Sequence, residues 1–185
     1  DAKLKISHSG CGSTTLDLQL EVVGVELPEP KDWSFHLDLW QNPFAEARYY
    51  NTPLWSDAHL EAMRPSMEML AAAGQKVITA SIMHKPWNGQ TYDPFGSMVT
   101  WIRKADGNWI YDFTIFDKWV EFMMDCGIDK EITCFSMIPW RLAFRYYDQA
   151  TDSHKEIKCA PGEAAYNEFW GGMLKAFAAH LKEKG

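Results

Sequence analysis

Three short stretches of the chain concentrate the side chains that could do chemistry. Asp38, Trp40 and Gln41 lie together, His84, Lys85 and Trp87 form a second group, and Trp140 and Arg141 a third. Each group sets an indole beside polar or charged company. Flat aromatic faces stack on the C–H faces of a sugar ring, while the ring's hydroxyls need paired donors and acceptors. The chemistry such groups support is carbohydrate recognition. They do not add up to a catalyst, because a glycosidase needs two acidic groups, or one acid plus a nucleophile on the substrate. Asp38 lies between Leu37 and Leu39 and reads in two ways. It is either a buried carboxylate held by an arginine, a Trp N–H or backbone amides, or an acceptor for sugar hydroxyls. His84 has no partner at metal-ligand spacing and reads as a polar contact at the rim of a site. Lys85 reads as an exposed cation, and each indole taken singly has the ordinary alternative of core packing.

Composition narrows the classes of function. Of 185 residues, 46% are apolar, enough for a packed core and too many for a disordered chain. No run approaches the ~18 apolar residues of a membrane span. The net charge is −7 and the lysines and arginines are scattered, so no basic stripe exists to grip phosphates and a nucleic-acid groove is excluded. Cys11, Cys126, Cys134 and Cys159 form no CxxC pair and have no histidine at ligand spacing, so neither a metal nor another cofactor is expected.

Positioning these side chains falls to a pattern of strand, long aromatic loop, helix and short turn that occurs three times. Ser34–Trp40 alternates, with Phe35, Leu37 and Leu39 on one face, and predicts a strand followed by a loop over Gln41–Trp55. Ser56 caps a predicted helix whose stripe is Leu60, Met63, Met67 and Leu70, closed by Gly74. Lys76–Met83 predicts a strand buried on both faces. The loop from His84 to Ile115 carries a hairpin about Asp106-Gly107. The next helix shows Phe116, Trp119, Val120 and Met123 on one stripe, with Thr114 and Asp117 at capping-box spacing. Glu131–Ile138 predicts the third strand, Ala143–Asp148 and His154–Cys159 a second hairpin. Tyr166, Phe169, Met173, Phe177 and Leu181 mark the long last helix. Residues 1–30 stand apart, with one alternating strand over Leu16–Val23 and then Pro28 and Pro30. They read as the end of an upstream β-sandwich domain with its linker, and residues 31–185 as a second domain.

Strands alternating with helices imply parallel βαβ units. The loops after the strands are long and the turns before them short, which is how a (β/α) barrel builds its active site. A doubly wound nucleotide fold would place a glycine-rich phosphate loop after its first strand, and Gln41–Arg48 contains no glycine. The expected fold class is therefore α/β, of the (β/α) TIM-barrel type. The barrel is expected to be incomplete, about its first three βα units, since a whole one takes ~250 residues.

Five motifs carry a family resemblance. Leu27-Pro-Glu-Pro, Phe35-His-Leu-Asp-Leu-Trp-Gln-Asn-Pro, Trp55-Ser-Asp-Ala-His, Tyr111-Asp-Phe-Thr-Ile-Phe-Asp and Ile138-Pro-Trp together resemble glycoside hydrolase family 123 and its relatives, from Leu27 to Gly185. The resemblance implies a β-sandwich joined to a catalytic (β/α)₈ barrel in an exported bacterial protein, periplasmic or on the cell surface. It further implies β-N-acetylgalactosaminidase activity by a substrate-assisted retaining mechanism. There the sugar's 2-acetamido oxygen attacks the anomeric carbon, an aspartate orients that group, and an adjacent glutamate protonates the leaving oxygen. No Asp-Glu dipeptide occurs in these 185 residues. No catalytic residue is assigned, and the chain by itself is expected to be inactive. Asp38, Trp40, Gln41, His84, Trp87, Trp140 and Arg141 remain as candidate substrate-binding residues for an N-acetylhexosamine-containing glycan. Self-association through the open barrel face is also expected. The alternative reading is a non-catalytic carbohydrate-binding or assembly module.

Overall fold

The computed structural model describes residues 1–185 and begins with an antiparallel hairpin of β1 (Ala2–His8) and β2 (Gly12–Leu18). The strand expected over Leu16–Val23 is displaced toward the N-terminus. Gly10 and Gly12, at φ 107° and 83°, reverse the chain, and pairing runs from that turn to Leu18. Helix α1 (Pro43–Tyr49) follows a single 3₁₀ turn at Pro30–Asp32 and falls where a loop was expected. Its cause is local: Asn42 Oδ1 accepts from Ala45 N at 3.3 Å, and Pro43 occupies the first helical position. Helix α2 (Asp57–Ala72) starts at Ser56, whose Oγ accepts from His59 N at 3.2 Å, and ends before Gly74 at φ 88°.

Strand β3 (Val77–Ser81) is buried at every residue, and the hairpin β4 (Thr100–Arg103) and β5 (Trp109–Asp112) follows it. Helix α3 (Thr114–Asp125) is capped otherwise than expected. Asp112 Oδ1 accepts from Thr114 N at 2.8 Å, while Asp117 meets His180 at 2.6 Å and Lys184 at 3.0 Å. Then come β6 (Glu131–Phe135), the hairpin β7 (Ala143–Asp148) and β8 (Ser153–Lys158), and α4 (Ala164–Lys184).

These strands form three separate sheets: β1–β2, the parallel pair β3–β6, and a mixed sheet in the order β5-β4-β7-β8. The expected incomplete (β/α) TIM barrel is overturned by this arrangement, which has neither a closed barrel nor a run of βα repeats. Two physical causes are visible. The first lies in the segment expected as the opening strand, 34–40. It makes one parallel bridge, Leu37 with Gln75, and beyond it two side-chain amides take over the ladder. Gln75 Oε1 accepts from Leu39 N at 2.9 Å, and its Nε2 donates to the Leu39 carbonyl at 3.2 Å and the Val77 carbonyl at 2.7 Å. Gln41 Oε1 accepts from Thr79 N at 2.8 Å, and its Nε2 donates to the carbonyls of Val77, at 3.2 Å, and Leu39. The second cause is that the two hairpins expected inside long loops join each other. β4 runs parallel to β7 through Ile102↔Tyr147 and Arg103↔Asp148, so most strand residues outside the first hairpin belong to this sheet.

One face of the mixed sheet packs on α4, and aromatic rings fill the seam. Trp101 stacks on Phe169 with centroids 4.4 Å apart and planes 2° apart, and Phe144 meets Phe169, Trp170 and Tyr166 at 5.3, 5.7 and 5.7 Å. Alternation along β7 sends Phe144 and Tyr146 into this core and Arg145 and Tyr147 to the opposite face. Leu181, expected on the buried stripe of the last helix, is 38% exposed. No helix is long and apolar enough to cross a membrane.

Replacing Gln41 with Leu removes the partners of Thr79 N–H and leaves that donor buried. A buried unpaired group costs ~1–3 kcal/mol, so Gln41→Leu is expected to lose about 2 kcal/mol or more in urea unfolding, whereas Gln90→Leu on the exposed loop stays within about 0.5 kcal/mol. Equal stability of the two variants would contradict the role given to the Gln41 amide.

Candidate functional site

Parallel register brings the ends of three segments level. Ser81 is the register partner of Phe135, and Gln41 is bonded to Thr79, so Trp40, the residues after Ser81, and Phe135 emerge side by side. The rings at these ends touch. Trp40 stacks on Trp87 with centroids 4.7 Å apart at 26°, and Phe135 lies 5.0 Å from Trp40 and 4.7 Å from Trp87. Phe95, buried, meets the edge of Trp87 at 4.7 Å from behind. Trp40 is left 53% exposed, so the cluster ends in an open indole.

The loop that carries Trp87 is held from several sides. Pro86 and Trp87 lie between Lys85 and Asn88, both left-handed at φ 53° and 54°. Lys85 N donates to the Phe95 carbonyl at 2.8 Å, and Asn88 N to the Lys85 carbonyl at 2.9 Å. Helix α1 supplies the outer anchor: Arg48 pairs with Asp93 at 2.8 Å, Asn42 Nδ2 donates to the Asp93 carbonyl at 3.2 Å, and Phe44 packs on Phe95 at 5.8 Å. Gly96 is required here, since a Cβ at that position would stand 2.9 Å from the Phe44 ring. The third stretch docks on this loop, with Trp140 N donating to the Pro86 carbonyl at 3.0 Å.

The structure therefore unites Trp40 and Trp87 in one stack. Trp140 lies beside their loop with its own ring 64% exposed and outside the stack. Asp38 and Arg141 are exposed, so the reading of Asp38 as a buried, held carboxylate does not apply. Gln41 is 3% exposed and its amide is committed to the backbone of β3, directly behind Trp40. His84 opens that loop and stands outside the stack, with Nε2 3.4 Å from Arg145 Nη1. Phe135, Phe95 and Arg145 were not singled out in the sequence. Phe135 and Arg145 sit inside strand-forming runs, where alternation alone does not say which residue reaches the end of a neighbouring loop.

His84 is held neutral. Desolvation by burial, with the positive charges of Arg145, Lys85 and His154 adding to it, pushes its pKa down to about 4. A neutral imidazole can accept from the Arg145 guanidinium, and a protonated one cannot. No three His, Cys, Asp or Glu side chains are grouped so as to hold a metal ion.

The folded value of His84 lies below that of a free imidazole, so between pH ~6.5 and ~4 the unfolded chain binds a proton that the folded chain refuses. Stability is expected to fall as pH drops through that window, with buried His59, also shifted down by desolvation, contributing in the same direction. NMR titration of the imidazole should show His84 still neutral at pH 5, and Arg145→Met should move its midpoint upward. A His84 midpoint at the free-imidazole value would contradict this electrostatic picture.

Comparison with known proteins gives one family. The family described as glycoside hydrolase 123, catalytic domain, matches residues 40–185. No curated protein matches the chain. Among solved structures, the chain is similar to a family 123 glycoside hydrolase from Clostridium perfringens, studied for glycolipid glycan hydrolysis. The TM-score is 0.85 at 29% sequence identity, covering 93% of this chain and 32% of that one. The chain thus spans about a third of the length of that hydrolase. The match over residues 40–185 takes in the Trp40 stack, the Trp87 loop and the two hairpins of the mixed sheet, and by it this chain belongs to glycoside hydrolase family 123.

Proposed function

We propose that this chain forms the substrate-holding part of a glycoside hydrolase that acts on β-linked N-acetylgalactosamine in glycans or glycolipids, and that it does not hydrolyse them by itself. The observation that carries the first half is the stack of Trp40 on Trp87, backed by Phe135 and ending in an open indole. Such a surface suits the apolar face of a sugar ring, and the exposed Asp38, Trp140 and Arg141 are the residues offered as hydroxyl or ring partners beside it. Gln41 acts from behind, fixing the backbone from which Trp40 projects. The Clostridium perfringens relative, characterised for glycolipid glycan hydrolysis, supports the substrate class.

The second half rests on chemistry. A substrate-assisted mechanism needs an acid for the leaving oxygen and a carboxylate to orient the acetamido group, and the resemblance places these in an adjacent Asp-Glu pair that these 185 residues do not contain. General acid catalysis alone contributes ~10²–10⁴-fold. The domain division at residues 30/31 is proposed with this reading. Leu4, Ile6, Leu16 and Leu18 of the first hairpin remain 43–53% exposed, an apolar surface suited to a β-rich neighbour.

The test has two arms. Incubation with an aryl N-acetyl-β-galactosaminide should release no more phenol than buffer, and turnover abolished by a substitution within residues 1–185 would refute the inactivity. Calorimetry with an N-acetylgalactosaminyl oligosaccharide should show binding that Trp40→Ala weakens about tenfold, the worth of ~1.4 kcal/mol of stacking. Binding indifferent to Trp40→Ala would remove the aromatic stack from the function.

The open barrel face expected to drive self-association does not exist in this fold, and we propose self-association along the edge of β6 in its place. This strand pairs with β3 on one side only, and Ile132 is 36% exposed beside its free edge. Sedimentation at micromolar concentration should show a species heavier than 21.2 kDa. A sharp monomer at that mass would count against the proposal.

A further inference from the structure

The cleft at the start of the Trp87 loop has a chemistry unlike the stack. It is an open cleft between the strand pair β4–β7 and the start of the loop, with a volume of about 230 Å³, and its lining includes His84, Ser97, Thr100, Arg145, Tyr147 and His154. That volume is below the ~300 Å³ at which ligand pockets begin, so it fits one substituent of a sugar and not a whole oligosaccharide. The chain is acidic overall, at −7, yet no carboxylate lines this cleft.

Arg145 is the cation that lines this cleft. It projects from the face of β7 opposite the aromatic core, and its recorded side-chain partner is the His84 ring, 3.4 Å from Nη1. It joins no salt bridge, although Glu156 is its cross-strand neighbour. Glu156 instead approaches Lys158, at 3.9 Å, and stands outside the cleft lining. A guanidinium carries five donors in a planar fork, so most of those on Arg145, which lines the cleft, have no partner within the chain. Lys85 adds positive charge near His84 and Glu156 opposes it, while burial above all keeps the imidazole neutral. The Tyr147 hydroxyl is already committed, donating to Asp152.

We propose that this cleft binds a carboxylate carried by a sugar, held by the Arg145 fork, which the His84 ring beside it orients. The glycan recognised would then be acidic, with its neutral ring on the Trp40–Trp87 stack and its acid group in the cleft. This rests on the carbohydrate reading of the stack, and extends it by naming a substrate class. A planar carboxylate matches the fork bidentately, which a hydroxyl does not, so charge and shape both select it.

Methyl β-glucuronide and methyl β-glucoside differ at one carbon, a carboxylate against a hydroxymethyl group, and provide the probe. Titrated into the full chain and followed by amide and imidazole NMR, the glucuronide should bind about tenfold or more tightly and shift the His84 and Arg145 signals. Raising the salt concentration should weaken that preference. Arg145→Gln, checked for folding by circular dichroism, should abolish the preference, and Arg145→Lys should restore only part of it, since the charge returns without the fork. Equal affinity for the two sugars, or a preference that survives Arg145→Gln, would overturn the proposal. Acetate binding as tightly as the glucuronide would also overturn it, by showing a site for free anions. If the N-acetylgalactosaminyl oligosaccharide binds through Trp40 while the two glucosides do not differ, this inference falls and the carbohydrate reading of the stack stands. If the acid preference holds while Trp40→Ala changes nothing, the reading of the stack falls, and with it the joint recognition of one acidic glycan.

Discussion

A strand buried on both faces makes every unpaired peptide group costly, and on its side away from β6 strand β3 draws its partners from an uncommon source. Alternate residues of a strand direct their N–H and C=O to one side. On the side away from β6 those residues are Val77, Thr79 and Ser81. Gln41 and Gln75 donate to the Val77 carbonyl, Gln41 accepts from Thr79 N, Trp119 Nε1 donates to the Thr79 carbonyl at 2.9 Å, and Met98 N donates to the Ser81 carbonyl at 2.7 Å. Three different parts of the chain are thereby fixed against one edge. The segment that delivers Trp40, the helix α3 and the end of the Trp87 loop all owe their positions to it. Trp101 continues the pattern one residue on, donating from Nε1 to the Ile82 carbonyl at 2.9 Å.

The aromatic surface is a product of this wiring. Gln41 is adjacent to Trp40, so the amide that completes β3 also sets where the indole emerges. The Trp87 loop reaches it from the other direction, braced by α1 through Arg48 and Phe44 and by two left-handed residues. Left-handed conformations at Lys85 and Asn88 cost free energy that the surrounding bonds must offset, and the result is a loop with few alternatives. Rings presented in this way need little further ordering when a ligand stacks on them.

Much of the local structure was legible. The stripes of α2, α3 and α4 and the Asp106-Gly107 hairpin follow from periodicity, capping and turn chemistry that act within a few residues. The indoles Trp40 and Trp87 could be placed together because each follows a strand-like run. Long-range relations were not legible. Nothing in the alternation of Ser34–Trp40 distinguishes a strand paired by its backbone from one paired through Gln41 and Gln75, because both put the same residues on the same faces. Nothing local to Thr100–Arg103 or Ala143–Asp148 announces that two hairpins will join. The barrel expectation failed on those two points, both of which concern partners tens of residues apart. Helix α1 is a different case: Asn42-Pro43 is a cap followed by a first-turn proline, a signal present in the sequence and outweighed by the polar, aromatic look of the segment.

The mixed sheet is unevenly joined. Each hairpin closes over a short stretch of chain, with four residue pairs in one and six in the other, whereas β4 meets β7 at two. Contacts between near neighbours in sequence form fast, and the β4–β7 junction, spanning some forty residues, must wait for α4 to clamp its aromatic face. By the same reasoning it is the first part of the sheet to part in thermal fluctuation. The cleft around Arg145 straddles that junction, with Val99 to Trp101 on one wall and Arg145 to Tyr147 on the other. Widening that space would move Trp101 and Phe144 against the Phe169 and Trp170 rings they share, so the aromatic core behind the sheet sets the width of the cleft in front of it.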